Sequence, residues 1–113
     1  MKIADFIEPL NCKVIHQGRN FEEIEIRHVV ASDLMSDVLV VDKDQLMLVT
    51  SLPSDQVIRT ADIVGIHVIL VVNHKTLPES MISLAKEMDI TLIQSPLPKF
   101  ETCVKLGRLM NLS

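Results

Sequence analysis

The sequence has no tryptophan and no tyrosine, and only three phenylalanines, Phe6, Phe21 and Phe100, in 113 residues. Its core must therefore be aliphatic, and it lacks the aromatic platforms on which readers of single-stranded nucleic acid stack bases. Only three glycines are present, and neither GxxxxGK[ST] nor GxGxxG occurs. No glycine-rich turn is there to wrap a phosphate with backbone. The two cysteines, Cys12 and Cys103, lie far apart and neither belongs to a CxxC pair. A reduced cytoplasmic setting is expected, with both thiols as small buried hydrophobes. The net charge is −4 with no basic stripe, which argues against nucleic-acid binding by phosphate neutralisation. The strongest apolar run, Val68–Val72, is far too short to span a bilayer. Met1–Phe6 meets an acid at Asp5 and does not read as an export signal.

What is present is a rhythm. An apolar run, a short polar loop and an amphipathic stretch follow one another three times between Leu46 and Met110. Leu46–Thr50 precedes Ser54–Val64, Ile66–Val72 precedes Pro78–Met88, and Ile90–Ile93 precedes Pro98–Met110. Apolar runs without alternation fit strands covered on both faces, and alternation with helices implies parallel βαβ units. The expected fold class is α/β. A mostly parallel sheet with flanking helices is built from three βα units plus an N-terminal helix and edge strands. At 113 residues and 48% hydrophobic content, one domain over residues 1–113 is expected, with a core that needs no staples.

The N-terminal third is less regular. Ile3, Phe6, Ile7 and Leu10 recur at helical spacing over Lys2–Leu10. Cys12–His16 reads as a strand. Phe21–Val30 reads as a half-exposed edge strand, with alternation from Ile24 to Arg27. Its acids, Glu22, Glu23 and Glu25, either protect the edge from stray pairing or attract a basic partner. Ala31–Asp37 is a short helix candidate capped by Ser32 or Asp33, and Val38–Val41 is either its last turn or a strand. In the three later helices the inward faces are Val57, Ile58, Ala61 and Val64, then Met81, Leu84, Ala85 and Met88, then Phe100, Cys103, Val104, Leu106 and Met110. Gly65 is a good helix stop, and Gly107 allows close backbone approach inside the last stripe.

In parallel sheets ligands gather beyond the carboxyl ends of the strands, so the three βα loops carry the candidate site. The first, Thr50–Asp55, leads hydroxyl residues Thr50, Ser51 and Ser54 into a helix N-terminus, whose free N–H groups and positive dipole end favour an anion. Ser54 as a simple helix cap is the plainer reading. The second, Val72–Pro78, sets Asn73, His74 and Lys75 at a strand end, a mix that suits a phosphate or carboxylate and equally suits a solvated turn; Pro78 is expected at the first helical position. The third, Gln94–Phe100, carries Ser95 and Lys99, which can reach the same crevice as Asn73, although two prolines make a structural turn the default.

Nothing resembles a catalytic apparatus. No nucleophile, carboxylate pair or metal cluster stands out, and no enzyme activity is expected. His16, His28, His67 and His74 are scattered without HxH or HExxH spacing, so no metal site is expected. His67 falls within the run Ile66–Val72 and reads as a structural histidine. No cofactor is implied.

On Ser32–Asp37, Leu48–Thr50, Ala61–Val71, Pro78–Ala85 and Ile90–Lys105 the chain resembles a DRTGG domain, the small α/β module related to the N-terminal domain of HPr kinase. The likeness covers nearly the whole chain. Ser32–Asp37 is its most distinctive segment. The Asp-Arg-Thr-Gly-Gly signature itself is missing; Arg59-Thr60 is the only Arg-Thr pair and falls in a helical stretch. The resemblance implies a non-catalytic regulatory or sensory module, homodimeric, of the stand-alone branch of that family.

Two functions follow from these readings. One is a cytoplasmic regulatory homodimer binding a nucleotide or other small anionic ligand at the strand ends through Thr50, Ser51, Ser54, Asn73, His74, Lys75 and Ser95. The other is a purely structural interaction domain docking to a partner enzyme or kinase. Neither involves nucleic acid or a membrane.

Overall fold

A computed structural model describes residues Met1–Asn111; Leu112 and Ser113, the end of the expected domain 1–113, lie outside the described residues. The elements in order are α1 (Ala4–Ile7), β1 (Lys13–His16), a 3-10 turn (Phe21–Glu23), β2 (His28–Ala31), α2 (Met35–Val38), β3 (Leu46–Thr50), α3 (Asp55–Val64), β4 (Val68–Val71), α4 (Glu79–Glu87), β5 (Thr91–Gln94) and α5 (Lys99–Leu109). The five strands form one sheet in the order β1-β5-β4-β3-β2. β2 to β5 are parallel neighbours in turn, and β1 runs antiparallel beside β5. The α/β class with a mostly parallel sheet is as expected, with β1 and β2 as the two edges and a fourth βα unit, β2–α2, ahead of the three read from the sequence.

The central strands are buried at every position, which explains why their sequences do not alternate. Leu48, Ile69, Val71 and Leu92 turn to one face and pack against Met35, Val38, Val57, Ile58, Ala61, Met81, Leu84 and Ala85 of α2, α3 and α4. Met47, Val49, Val68, Leu70 and Ile93 turn to the other, where Ile3, Phe6 and Leu10 around α1 and Leu106 of α5 cover them. Three helices thus lie on one face and two on the other. Ser54 caps α3, accepting a hydrogen bond from the Gln56 N–H at 3.2 Å. Gly65 ends that helix at φ +87°, the left-handed conformation glycine adopts without strain.

Several N-terminal expectations change. Phe21–Val30 is not one strand. Phe21–Glu23 makes a 3-10 turn, and Glu25 forms an antiparallel bridge with Lys2. There the Met1 ammonium bonds Glu25 and the Ile26 carbonyl. Only His28–Ala31 joins the sheet, because apolar alternation cannot distinguish a strand from an extended segment held by the chain terminus. The first helix shrinks from Lys2–Leu10 to α1. Ser32 and Asp33 do not cap α2: Leu34 stands at the N-cap, and the Ser32 hydroxyl instead accepts from the Leu34 N–H. Val38–Val41 resolves as the end of α2 with no strand.

Smaller corrections follow the same logic. Pro78 is the N-cap of α4, not its first residue. His67 precedes β4 and is exposed. Phe100, expected inside the α5 stripe, is 81% exposed. Both cysteines are only half-buried. A Cβ at Gly107 would meet nothing within 4 Å, whereas one at Gly18 would come 3.0 Å from Thr91 Oγ1; the close backbone approach is at Gly18.

Candidate functional site

The parallel ladder aligns the carboxyl ends of β2, β3, β4 and β5 along one rim, so the four following loops share it. Toward its β2 side, over the end of β3, stands Asp33, from the loop after β2. Its Oδ1 accepts from the Thr50 hydroxyl at 2.8 Å and the Ser51 N–H at 2.7 Å. Its Oδ2 accepts from the Ser51 hydroxyl at 2.6 Å and from Lys99 Nζ at 2.6 Å. Four donors from three elements thus converge on one carboxylate. Partial burial works to raise the Asp33 carboxyl, but the bonds from Lys99, Ser51 and Thr50 outweigh it and hold the group well below the usual carboxylate range. Asp33 therefore carries its charge at neutral pH. The geometry is that of an anion-binding cluster whose anion is part of the chain.

The candidate residues fall into separate groups. Thr50 and Ser51 belong to the Asp33 cluster, and Ser54 lies beside it as the α3 cap. Asn73 and His74 occupy left-handed conformations, φ 70° and 52°, which turn the chain sharply after β4. Their N–H groups donate to Leu97 O at 2.7 Å and Ser95 O at 3.3 Å, while the Gln94 amide donates to the Lys75 carbonyl. These bonds stitch the second loop to the third. His74 lines a hollow of about 260 Å³ with Asn11, Lys13, Gln94 and Pro96, at the β1 side of the rim. Ser95 is fully buried; its hydroxyl donates to Leu10 O at 2.6 Å and accepts from the Leu97 N–H at 3.2 Å, tying the third loop to the end of the α1 segment. Lys99 does not join Asn73. It reaches across the β3 end to Asp33.

Asp33 is the site residue that the sequence reading offers only as a cap of the following helix. Its place just after a short strand made it look like a helix cap. A signal existed: the loops after β2, β3 and β5 must meet on one rim once the strands are parallel, and they bring an acid, two hydroxyls and a lysine there. Elsewhere, a hollow of about 340 Å³ opens at the opposite, amino end of the sheet between Glu25, Lys43, Asp44, Gly65 and His67. Glu25 is lowered there by its bond to the chain-terminal ammonium, with lesser help from Lys2 and Arg27. Among the described residues no three His, Cys, Asp or Glu side chains are grouped to hold a metal ion. Among the described residues no helix is long and apolar enough to cross a membrane.

This arrangement, four parallel strands in sequential order with one antiparallel edge and helices on both faces, defines a class of small α/β domain. A solved structure shares it: the CBS and DRTGG domains of the regulatory region of Clostridium perfringens pyrophosphatase, complexed with its activator, diadenosine tetraphosphate. The match has a TM-score of 0.78 over 93% of this chain at 13% identity. The chain spans 45% of that protein's chain, less than half its length. No family model matches the sequence, and no curated protein does. The likeness is one of fold, and it supports the DRTGG-like architecture that Ser32–Asp37 and the βα passages suggest.

Proposed function

We propose that this chain is a non-catalytic regulatory module of DRTGG type that acts as a cytoplasmic homodimer. It binds a nucleotide or other small anionic ligand at the carboxyl ends of its strands. The observation that carries the reading is the convergence of the Thr50 hydroxyl, the Ser51 N–H and hydroxyl, and the Lys99 ammonium on a single carboxylate. Those four donors are what a phosphate group takes from a protein, and the α3 N-terminus capped by Ser54 stands next to them. In this reading a phosphate takes the place of the Asp33 carboxylate. Asn73, His74 and Lys75 receive the remainder of the ligand, and Ser95 supports the loop from below. The pyrophosphatase region of like fold is bound to a nucleotide activator, which supports the ligand class.

Amide NMR of labelled protein during addition of ATP, ADP, AMP and cyclic dinucleotides tests this directly. Saturable shifts at Thr50–Asp55 and Asn73–Thr76 are expected. No shifts at millimolar ligand would favour the second reading, a module that docks to a partner enzyme or kinase and binds no ligand. Leu34 and Phe100, exposed beside Asp33 and Lys99, support that alternative.

A further inference from the structure

We propose that the apolar hollow between β2 and α5 takes the planar base of a nucleotide whose phosphate lies at the Asp33 cluster. The inference rests on the ligand part of the reading above and adds the subsite that tells a nucleotide from any other anion. The hollow measures about 190 Å³. Val29 and Ala31 of β2 line it on one side, and Cys103, Leu106, Gly107 and Met110 on the other. None of these side chains is charged, so the hollow favours an uncharged, mainly apolar group. Its size suits one flat ring system, since a cavity of about 150 Å³ walled by aliphatic side chains holds a benzene ring. A helix docked in a groove sets several side chains into it, more than this volume takes.

Two residues of α5 point to a base as the occupant. Gly107 is the first. Glycine weakens a helix interior, and packing does not account for this one, because a Cβ there would meet nothing within 4 Å. What the missing side chain leaves is the open space of the hollow. Phe100 is the second. Phe6 is buried and Phe21 half-buried, but Phe100 is 81% exposed. Helical spacing sets it one turn before Cys103 and two before Gly107, on the same face of α5. It therefore stands over the rim end of the hollow, with its ring free to stack on a base. The phosphate position is close to both walls. Lys99, next to Phe100, holds Asp33, and Ala31 is two residues from Asp33, no more than about 7 Å along the chain. A ribose bridges such a gap between base and phosphate.

Titration of the full chain with AMP and with ribose 5-phosphate, followed by amide NMR, tests the subsite, because only AMP carries a base. AMP is expected to bind at least tenfold more tightly and to move the amides of Cys103 and Gly107 as well as those of Thr50–Asp55. Gly107→Leu, whose Cβ meets nothing and whose side chain fills the hollow, is expected to remove most of that preference, and so is Phe100→Ala. Both variants should bind ribose 5-phosphate as the parent does and melt no lower than it. Saturating AMP is also expected to slow alkylation of Cys103, read by peptide mass so that Cys12 is counted separately, whereas ribose 5-phosphate leaves it unchanged. Equal affinities for the two compounds, with shifts at Thr50–Asp55, overturn the inference and leave the ligand reading standing. So does a preference for AMP that survives either variant, and so does alkylation of Cys103 that AMP fails to slow. Absence of shifts with either compound overturns both the inference and the reading beneath it.

Discussion

Lys99 Nζ lies 2.6 Å from Asp33 Oδ2, and that contact joins two helices on opposite faces of the sheet. Lys99 opens α5, which covers the face lined by Met47 and Val49; Asp33 leads into α2, which covers the other. Between them stands the end of β3, whose Thr50 and Ser51 bond the same carboxylate. The ion pair closes a clasp over the strand ends, at the place where an anion is proposed to enter.

Replacing Asp33 with asparagine is expected to open that clasp. The pair is partly in solvent, with both side chains more than a third exposed or close to it, so its loss should change stability by no more than about 1 kcal/mol. Removing the internal negative charge should strengthen binding of a phosphate-bearing ligand by roughly tenfold. Thermal melts and amide-shift titrations of parent and variant check the two halves. Weaker anion binding in Asp33→Asn would mean that the carboxylate contacts the ligand directly.

The same carboxyl sets an acid limit. Its folded-state value lies below that of an unfolded aspartate, near 3.9, because the bonds from Lys99, Ser51 and Thr50 outweigh the opposing effect of burial. Its contribution to stability is therefore complete above about pH 4 and is lost as pH falls below that point. Glu25, lowered by its bond to the chain-terminal ammonium, acts in the same direction. Denaturant melts between pH 2 and 7 should show stability falling on the acid side, with a shallower fall in Asp33→Asn.

Cys12 works at the other end of the scale. Burial pushes its thiol up to about 11, above the roughly 8.5 of an unfolded cysteine. The stabilisation this represents is full below about pH 8.5 and is lost as pH rises toward 11. At pH 8 Cys12 should react with a thiol reagent much more slowly than in the unfolded chain, and a timed labelling experiment measures that ratio.

Ser95→Ala should be costly for a loop residue. Its hydroxyl is buried and serves both Leu10 O and the Leu97 N–H. Alanine leaves the buried Leu10 carbonyl and the partly buried Leu97 N–H without that partner, a loss of about 1–3 kcal/mol. If Ser95 were only a ligand contact, a thermal melt without ligand would not move.

The phenylalanines should separate cleanly. Phe6 is fully buried beneath the sheet, and Phe6→Ala is expected to destabilise by about 3–5 kcal/mol. Phe100→Ala, at an exposed position, should stay within about 0.5 kcal/mol in chemical denaturation of the single chain.

The sequence by itself determined the βα rhythm. Uninterrupted apolar runs such as Val68–Val71 need cover on both faces, and the stripes on α3 and α4 match the faces they bury. It also placed Thr50 and Ser51 at a strand end, since that depends only on where an apolar run stops. Tertiary structure decided the rest. The alternation of Ile24–Arg27 gave way to a bridge with Lys2, because residues far apart in sequence supply those hydrogen bonds. Phe100 and Met110 share a stripe on paper, but Phe100 faces out, and the residues that α5 buries are Thr102 and Leu106. Asp33 and Lys99 are 66 residues apart. Local propensity acts within a few residues of itself. Only the parallel order of the strands, which sets every βα loop on one rim, could bring that acid and that lysine together.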